Sequence, residues 1–221
     1  MSEQTHGRLM IDIQGLCLSD EDINLLKSPH VGGIILFERN FKSRQQLESL
    51  CSSIRSVKQN ILIAVDHEGG RVQRFKKEFT QIPSMQSLGD FVKKNPDEGL
   101  SLAEDIGWLL ASELISSGID VSFAPVLDLD RDTSSIIGNR SFGEDPQLVI
   151  DTSHALIKGM KNAGMASTGK HFPGHGGVEA DSHLEAPKDL RELEELYDYD
   201  LKPYIVLQEV LQGIMSVSYT H

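Results

Sequence analysis

Long apolar runs, basic clusters and cysteines are what this 221-residue sequence has least of, and each shortage excludes something. No stretch of about 18 apolar residues occurs, which excludes a conventional membrane-spanning helix. The first seven residues have neither the basic start nor the apolar stretch of a signal peptide, so the expected place of work is the cytoplasm, away from membranes. Basic side chains number 21 against 33 acidic ones, a net charge of −12, and adjacent basic residues come no longer than pairs such as Lys76-Lys77 and Lys93-Lys94. Phosphate backbones are gripped by clustered Lys and Arg, so nucleic acid is not an expected partner. The two cysteines, Cys17 and Cys51, lack a CxxC spacing and are too few for a disulfide framework; they read as thiols in a reducing compartment. No GxGxxG follows the first strand, which removes the main support for a dinucleotide-binding fold.

What is present is an alternation of short apolar segments with amphipathic ones. Buried strands are expected at 9–13, 31–37, 61–65, 119–126, 165–171 and 214–217, the last three each following a glycine, Gly118, Gly164 or Gly213, that reads as a helix C-terminal cap. Between them lie helix signals. Ser43 to Gln46 has the capping-box pattern, followed by Leu47, Leu50, Cys51, Ile54 and Val57 on one face, which places Cys51 in the core. Asp145-Pro146 pairs an N-cap with proline at the first helical position, ahead of Val149, Leu156, Ile157 and Met160; Leu102, Ile106, Leu109, Leu110 and Leu114 repeat the pattern upstream. Residues 81–95 read as a surface excursion. About six strand–helix units in one direction require a parallel sheet. Polar residues gather where strands end, as Asp66-His67-Glu68, Asp128-Leu129-Asp130 and Lys170-His171, which favours an α/β fold of the (β/α)8 TIM-barrel type over a doubly wound sheet. With no low-complexity linker, residues 1–221 read as one domain.

Two segments concentrate chemistry. In Lys170-His171-Phe172-Pro173-Gly174-His175-Gly176-Gly177 and the nearby Asp181-Ser182-His183, three histidines, a lysine and an aspartate fall on a loop leaving a strand, since the proline and glycines exclude a helix. Taken alone, His171, His175, Asp181 and His183 are also potential metal ligands, although no HExxH-like spacing supports that alternative. In Ile63 to Arg74, a strand delivers Asp66 and two glycines turn the chain so that Arg71 or Arg74 returns toward the same mouth. Carboxylate and guanidinium together suit neighbouring hydroxyls of a sugar.

The strings Val65-Asp66-His67-Glu68-Gly69-Gly70-Arg71-Val72-Gln73-Arg74, Phe123-Ala124-Pro125-Val126-Leu127-Asp128 and Gly169-Lys170-His171-Phe172-Pro173-Gly174-His175-Gly176, with Asp181-Ser182-His183, resemble the family 3 glycoside hydrolases. Within them they are most similar to bacterial β-N-acetylhexosaminidases of the peptidoglycan-recycling type. The resemblance runs from about residue 8 to 215. It implies a (β/α)8 barrel and hydrolysis of terminal, non-reducing β-linked N-acetylglucosamine, without a cofactor or metal, from muropeptide-like carbohydrate substrates. It implies sugar-binding roles for Asp66, Arg74, Arg140, Lys170 and His171. It also makes His183 the proton donor and acceptor and Asp181 its orienting partner. Histidine suits both halves of a retaining reaction near neutral pH, and an adjacent aspartate fixes its tautomer.

The family's nucleophile is an aspartate in a serine-aspartate-aspartate run, which these 221 residues do not contain, and Tyr219-Thr220-His221 does not match the family. The expectation is a C-terminally incomplete barrel with a foreign tail, silent in catalysis and prone to associate through its open edge. A sugar-binding module and a metal-dependent hydrolase are the alternatives to a glycosidase. Asp128, Asp130 and Asp132 are the substitute nucleophiles to consider, with Asp128 better read as the end of its strand in a structural hydrogen-bond network.

Overall fold

The computed structural model describes residues 7–131, 134, 136–177 and 191–217. Parallel strands form where aliphatic residues run together: β1 (Leu9–Asp12), β2 (Val31–Leu36) and β3 (Leu62–Val65). Each is followed by a helix or loop that returns the chain to the same end. After β1 comes α1 (Asp20–Leu26), opened by a capping box between Ser19 and Asp22. After β2 comes α2 (Arg44–Val57), where the Ser43 hydroxyl accepts from the Gln46 amide; the Gln46 side chain instead accepts from Lys42, so half of the expected box forms. Cys51 is in the core as expected, and burial, only partly countered by Arg55, pushes its thiol up to about 12. It behaves as a small hydrophobe.

Beyond β3 the chain makes a hairpin of β4 (His67–Gly69) and β5 (Val72–Gln73), a feature absent from the six-strand expectation. The turn needs its glycines: Gly69 and Gly70 have φ of 109° and 56°. Residues 81–95 are a second departure. They hold α3 (Met85–Lys94), capped by Ser84 and buried through Met85, Leu88, Gly89 and Val92, rather than a surface excursion. Gly89 hides the stripe from a search for apolar periodicity. It is glycine because a Cβ there would lie 1.9 Å from the carbonyl oxygen of Phe142.

The two long helices, α4 (Pro96–Ser116) and α5 (Pro146–Asn162), pack on each other by the same device. A Cβ on Gly107 would meet the Leu156 carbonyl oxygen at 2.1 Å, and one on Gly159 the Glu104 carbonyl oxygen at 1.9 Å. Gly118 and Gly164 end these helices at φ of 93° and 94°, the cap conformation expected of them. Gly213 is different: it opens a strand.

The fourth expected strand, 119–126, pairs regularly only as β6 (Val121–Ser122), because Pro125 has no N–H to give to a ladder. Its remainder still joins the sheet, with Thr168 and Lys170 donating to the carbonyls of Ala124 and Pro125. Next come β7 (Thr168–Phe172), the short helices α6 (Leu193–Asp198) and α7 (Lys202–Leu207), and β8 (Gly213–Ser216). The parallel order is β1-β2-β3-β6, continued by bridges from Val121 to Ala166 and from Val126 to Lys170 into β7-β8. Helices cover the outside and Ile34, Ile63, Val65, Leu127 and Leu129 lie in the core, a TIM-barrel-like α/β arrangement. Leu9 and Met10 on β1 and Ile214 on β8, the outermost strands, are exposed. No helix among the described residues is long and apolar enough to cross a membrane.

Candidate active site

The carboxyl ends of β3, β7 and β8 open into one polar recess of about 390 Å³, walled by Asp66, Glu68, Arg71, Val72, Arg74, Arg140, Lys170, His171 and Met215. Asp66 follows directly on β3. The Gly69-Gly70 turn sends the chain back so that Arg71 and Arg74 reach the same recess. Arg140 comes from a single helical turn, Gly138–Arg140, beside the Phe142 segment that α3 touches. All five residues to which the family resemblance gives sugar contacts therefore come together here. Asp181 and His183 lie outside the described residues, as does Asp132.

Charge is arranged in closed sets. Lys170, almost fully buried, donates to Asp66 Oδ1 at 2.8 Å and to Glu68 Oε1 at 2.5 Å. Arg140 donates its Nε and Nη2 to the two oxygens of Glu68 at 2.8 and 2.7 Å, a two-pronged fit of guanidinium to carboxylate. Arg74 stands 3.6 Å from Asp66. Burial by itself would raise the Glu68 pKa, but the hydrogen bonds and charges of Arg140 and Lys170 overcome it and hold the group below its ordinary range. Arg140 moves the other way: burial alone would lower its pKa, and Glu68, with the charges of Asp128 and Asp66, carries it upward. Both stay ionised. Sequence reasoning missed Glu68, although Asp66 and Glu68 two apart on extended chain point to one side.

Asp128 does what its strand-end position suggested. Its fully buried carboxylate accepts from the backbone N–H of His175 at 2.8 Å and of His171 at 3.2 Å, and from His171 Nδ1 at 2.6 Å. A carboxylate only accepts, so Nδ1 carries the proton and Nε2 is left to accept from Arg140 Nη2, 3.4 Å away. The ring is thus fixed in one tautomer at the pocket wall. Asp130 accepts from Gln86 at 3.3 Å, outside the recess. Of the four candidate metal ligands, only His171 and His175 are described, their ring centroids 6.1 Å apart; no trio of metal-binding side chains occurs among the described residues.

Behind the recess, His67 sits between Phe75 and Phe79; burial and then Arg74 depress its pKa to about 4, so it is neutral. At the rim, the buried Asp200 between α6 and α7 accepts from Arg131 at 2.9 Å and from Arg191 at 2.6 Å, and Gly174 packs so close that a Cβ would meet its side chain at 2.8 Å. A larger hollow of about 700 Å³ lies at the opposite end of β1–β3, where Arg55 is paired with Asp120 and no comparable set of charges converges among the described residues.

A parallel barrel sheet with buried charge gathered where its strands end defines the class: TIM-barrel-like α/β domains whose sites occupy that face. The chain belongs to glycosyl hydrolase family 3, whose N-terminal domain pattern matches residues 7–221. It is 52% identical over 210 residues to a "Beta-hexosaminidase" of Idiomarina loihiensis, covering 95% of this chain and 63% of that protein. A Thiobacillus denitrificans protein of the same name is 50% identical over 218 residues, 98% of this chain and 60% of its own length. The chain thus spans about three fifths of these curated relatives. Among solved structures, NagZ from Neisseria gonorrhoeae in complex with N-trifluoroacetyl-D-glucosamine superposes with a TM-score of 0.92 at 46% identity, over 96% of this chain and 63% of that one. A family 3 β-N-acetylglucosaminidase from Paenibacillus gives 0.86 at 32% identity, over 98% of this chain and 42% of that one.

Proposed function

We propose that this chain forms the sugar-gripping wall and carries the acid–base pair of a retaining exo-β-N-acetylglucosaminidase acting on terminal β-linked N-acetylglucosamine. The natural substrates are muropeptides freed from the cell wall and recycled in the cytoplasm. One observation carries the reading: Asp66, Arg74, Arg140, Lys170 and His171 converge on a single recess, in a chain whose relatives are named β-hexosaminidases. Asp66 accepts from ring hydroxyls while Lys170, Arg74 and Arg140 donate to them. His183 gives its proton to the departing glycosidic oxygen and then takes one from water, with Asp181 orienting the ring and stabilising the imidazolium. Because the family's serine-aspartate-aspartate run has no counterpart in these 221 residues, the nucleophile is assigned to none of them. A second reading follows from that: the chain by itself holds the sugar and turns nothing over.

Calorimetric titration with N-acetylglucosamine tests the recess. Asp66→Ala is expected to weaken binding by about 2–4 kcal/mol, the cost of losing desolvated hydrogen bonds to a charged acceptor. Unchanged affinity would return Asp66 to a structural role. In a protein extended to the relatives' length, His183→Ala should depress hydrolysis of substrates with poor leaving groups far more than of activated aryl β-N-acetylglucosaminides. Equal losses would remove the acid–base assignment.

A further inference from the structure

Both oxygens of Glu68 are held in hydrogen bonds by cations of the pocket. Arg140 takes both oxygens and Lys170 shares one, at 2.5–2.8 Å, in a group only 2% exposed. A sugar carboxylate, as in a uronic acid, is also a planar pair of acceptors and would meet the Arg140 fork in the same way. We infer that Glu68 is the specificity residue of the pocket: by occupying Arg140 and Lys170 from within, it makes the site take a neutral N-acetylhexosamine and refuse a sugar carboxylate. The inference deepens the proposed function and rests on its reading of the recess as an N-acetylglucosamine site.

The charges facing one another support it. Among the described residues, Arg74, Arg140 and Lys170 meet Asp66 and Glu68 in the wall, with Asp128 behind His171, while Arg71 donates to Asn139 and to the Ile136 and Ile137 carbonyls. Neutralising Glu68 removes one of the two carboxylates that face Arg74, Arg140 and Lys170 in the wall, a change of field that favours an anion. The same change releases Arg140 and Lys170 from the geometry in which they meet hydroxyls. One substitution therefore moves two affinities in opposite directions. General loosening of the site would move both downward.

The test titrates the chain with N-acetyl-D-glucosamine and with D-glucuronate at low ionic strength. Glu68→Gln is expected to lose at least ~10-fold in affinity for the first and gain at least ~10-fold for the second, the size of one charge-assisted hydrogen bond. Glu68→Asp keeps the charge but is one methylene too short for both partners; it should weaken N-acetylglucosamine with no gain for glucuronate. Glu68→Gln with Lys170→Met removes one charge of each sign, which restores the charge balance and should abolish the gain. A joint loss of both ligands in Glu68→Gln, or a glucuronate gain in either control, would overturn the inference. If the unaltered chain fails to bind N-acetylglucosamine, the proposed function falls, while the glucuronate gain still decides the role of Glu68.

Discussion

Replacing Asp128 by asparagine changes one atom of the residue that sets the His171 tautomer, and the consequences can be worked through donor by donor. With the amide oxygen in the place of Oδ1, it can still accept from the backbone N–H groups of His171 and His175. The new NH2 faces His171 Nδ1 at 2.6 Å, where two donors cannot coexist. The ring relieves the conflict by moving its proton to Nε2, but Nε2 then confronts Arg140 Nη2, a group that only donates. Either outcome costs a hydrogen bond to a buried charged group, about 2–3 kcal/mol. For a domain of this length that is a fall of about 4–12 °C in the unfolding midpoint. Thermal unfolding measures the loss, and nitrogen-resolved NMR of the imidazole reports which nitrogen holds the proton. A ring already protonated at Nε2 in the unaltered chain, or an Asp128→Asn variant with unchanged midpoint and tautomer, would refute the reasoning.

Two further outcomes follow from the packing and the buried ring. Gly159→Ala would gain about 1 kcal/mol of helix propensity, yet its Cβ would fall 1.9 Å from a backbone oxygen of α4, which no rotamer relieves; urea unfolding should show a net loss of about 1–3 kcal/mol, and a more stable variant would discard the close-packing account. His67 binds a proton near pH 4 when folded and near 6.5 when unfolded, so folding is at its full stability above pH 6.5 and loses up to about 3 kcal/mol as the pH falls to 4. His67→Gln should flatten that part of the urea-derived stability profile, and parallel profiles for the two proteins would show that His67 is not the group responsible.

Much of the framework was legible because apolar runs and caps act locally. The segments at 31–37 and 61–65 became β2 and β3, and Asp145-Pro146 opened α5, since each depends on neighbours a few residues away. What escaped depended on distant backbone. The stripe of α3 is interrupted by Gly89, whose missing side chain answers to Phe142, and Pro125 shortened β6 although 119–126 is apolar enough for a full strand. At the site, Asp66, Arg74, Arg140, Lys170 and His171 stood out through long family motifs. Glu68 did not, because its meaning lies in Arg140, 72 positions further on, and only folding brings that pair together.

The Asp200 junction has a consequence for anyone recombining such barrels. Arg131 leaves the segment after Asp128, Gly174 follows β7, and Arg191 precedes α6, yet all three seat on one buried carboxylate. Loops at the mouth of a barrel are commonly regarded as interchangeable modules on an indifferent scaffold. Here three of them share a keystone. Grafting any one from a homologue strands the partners of Asp200 unless its own seat is transplanted with it, so variation at this rim is inherited in blocks.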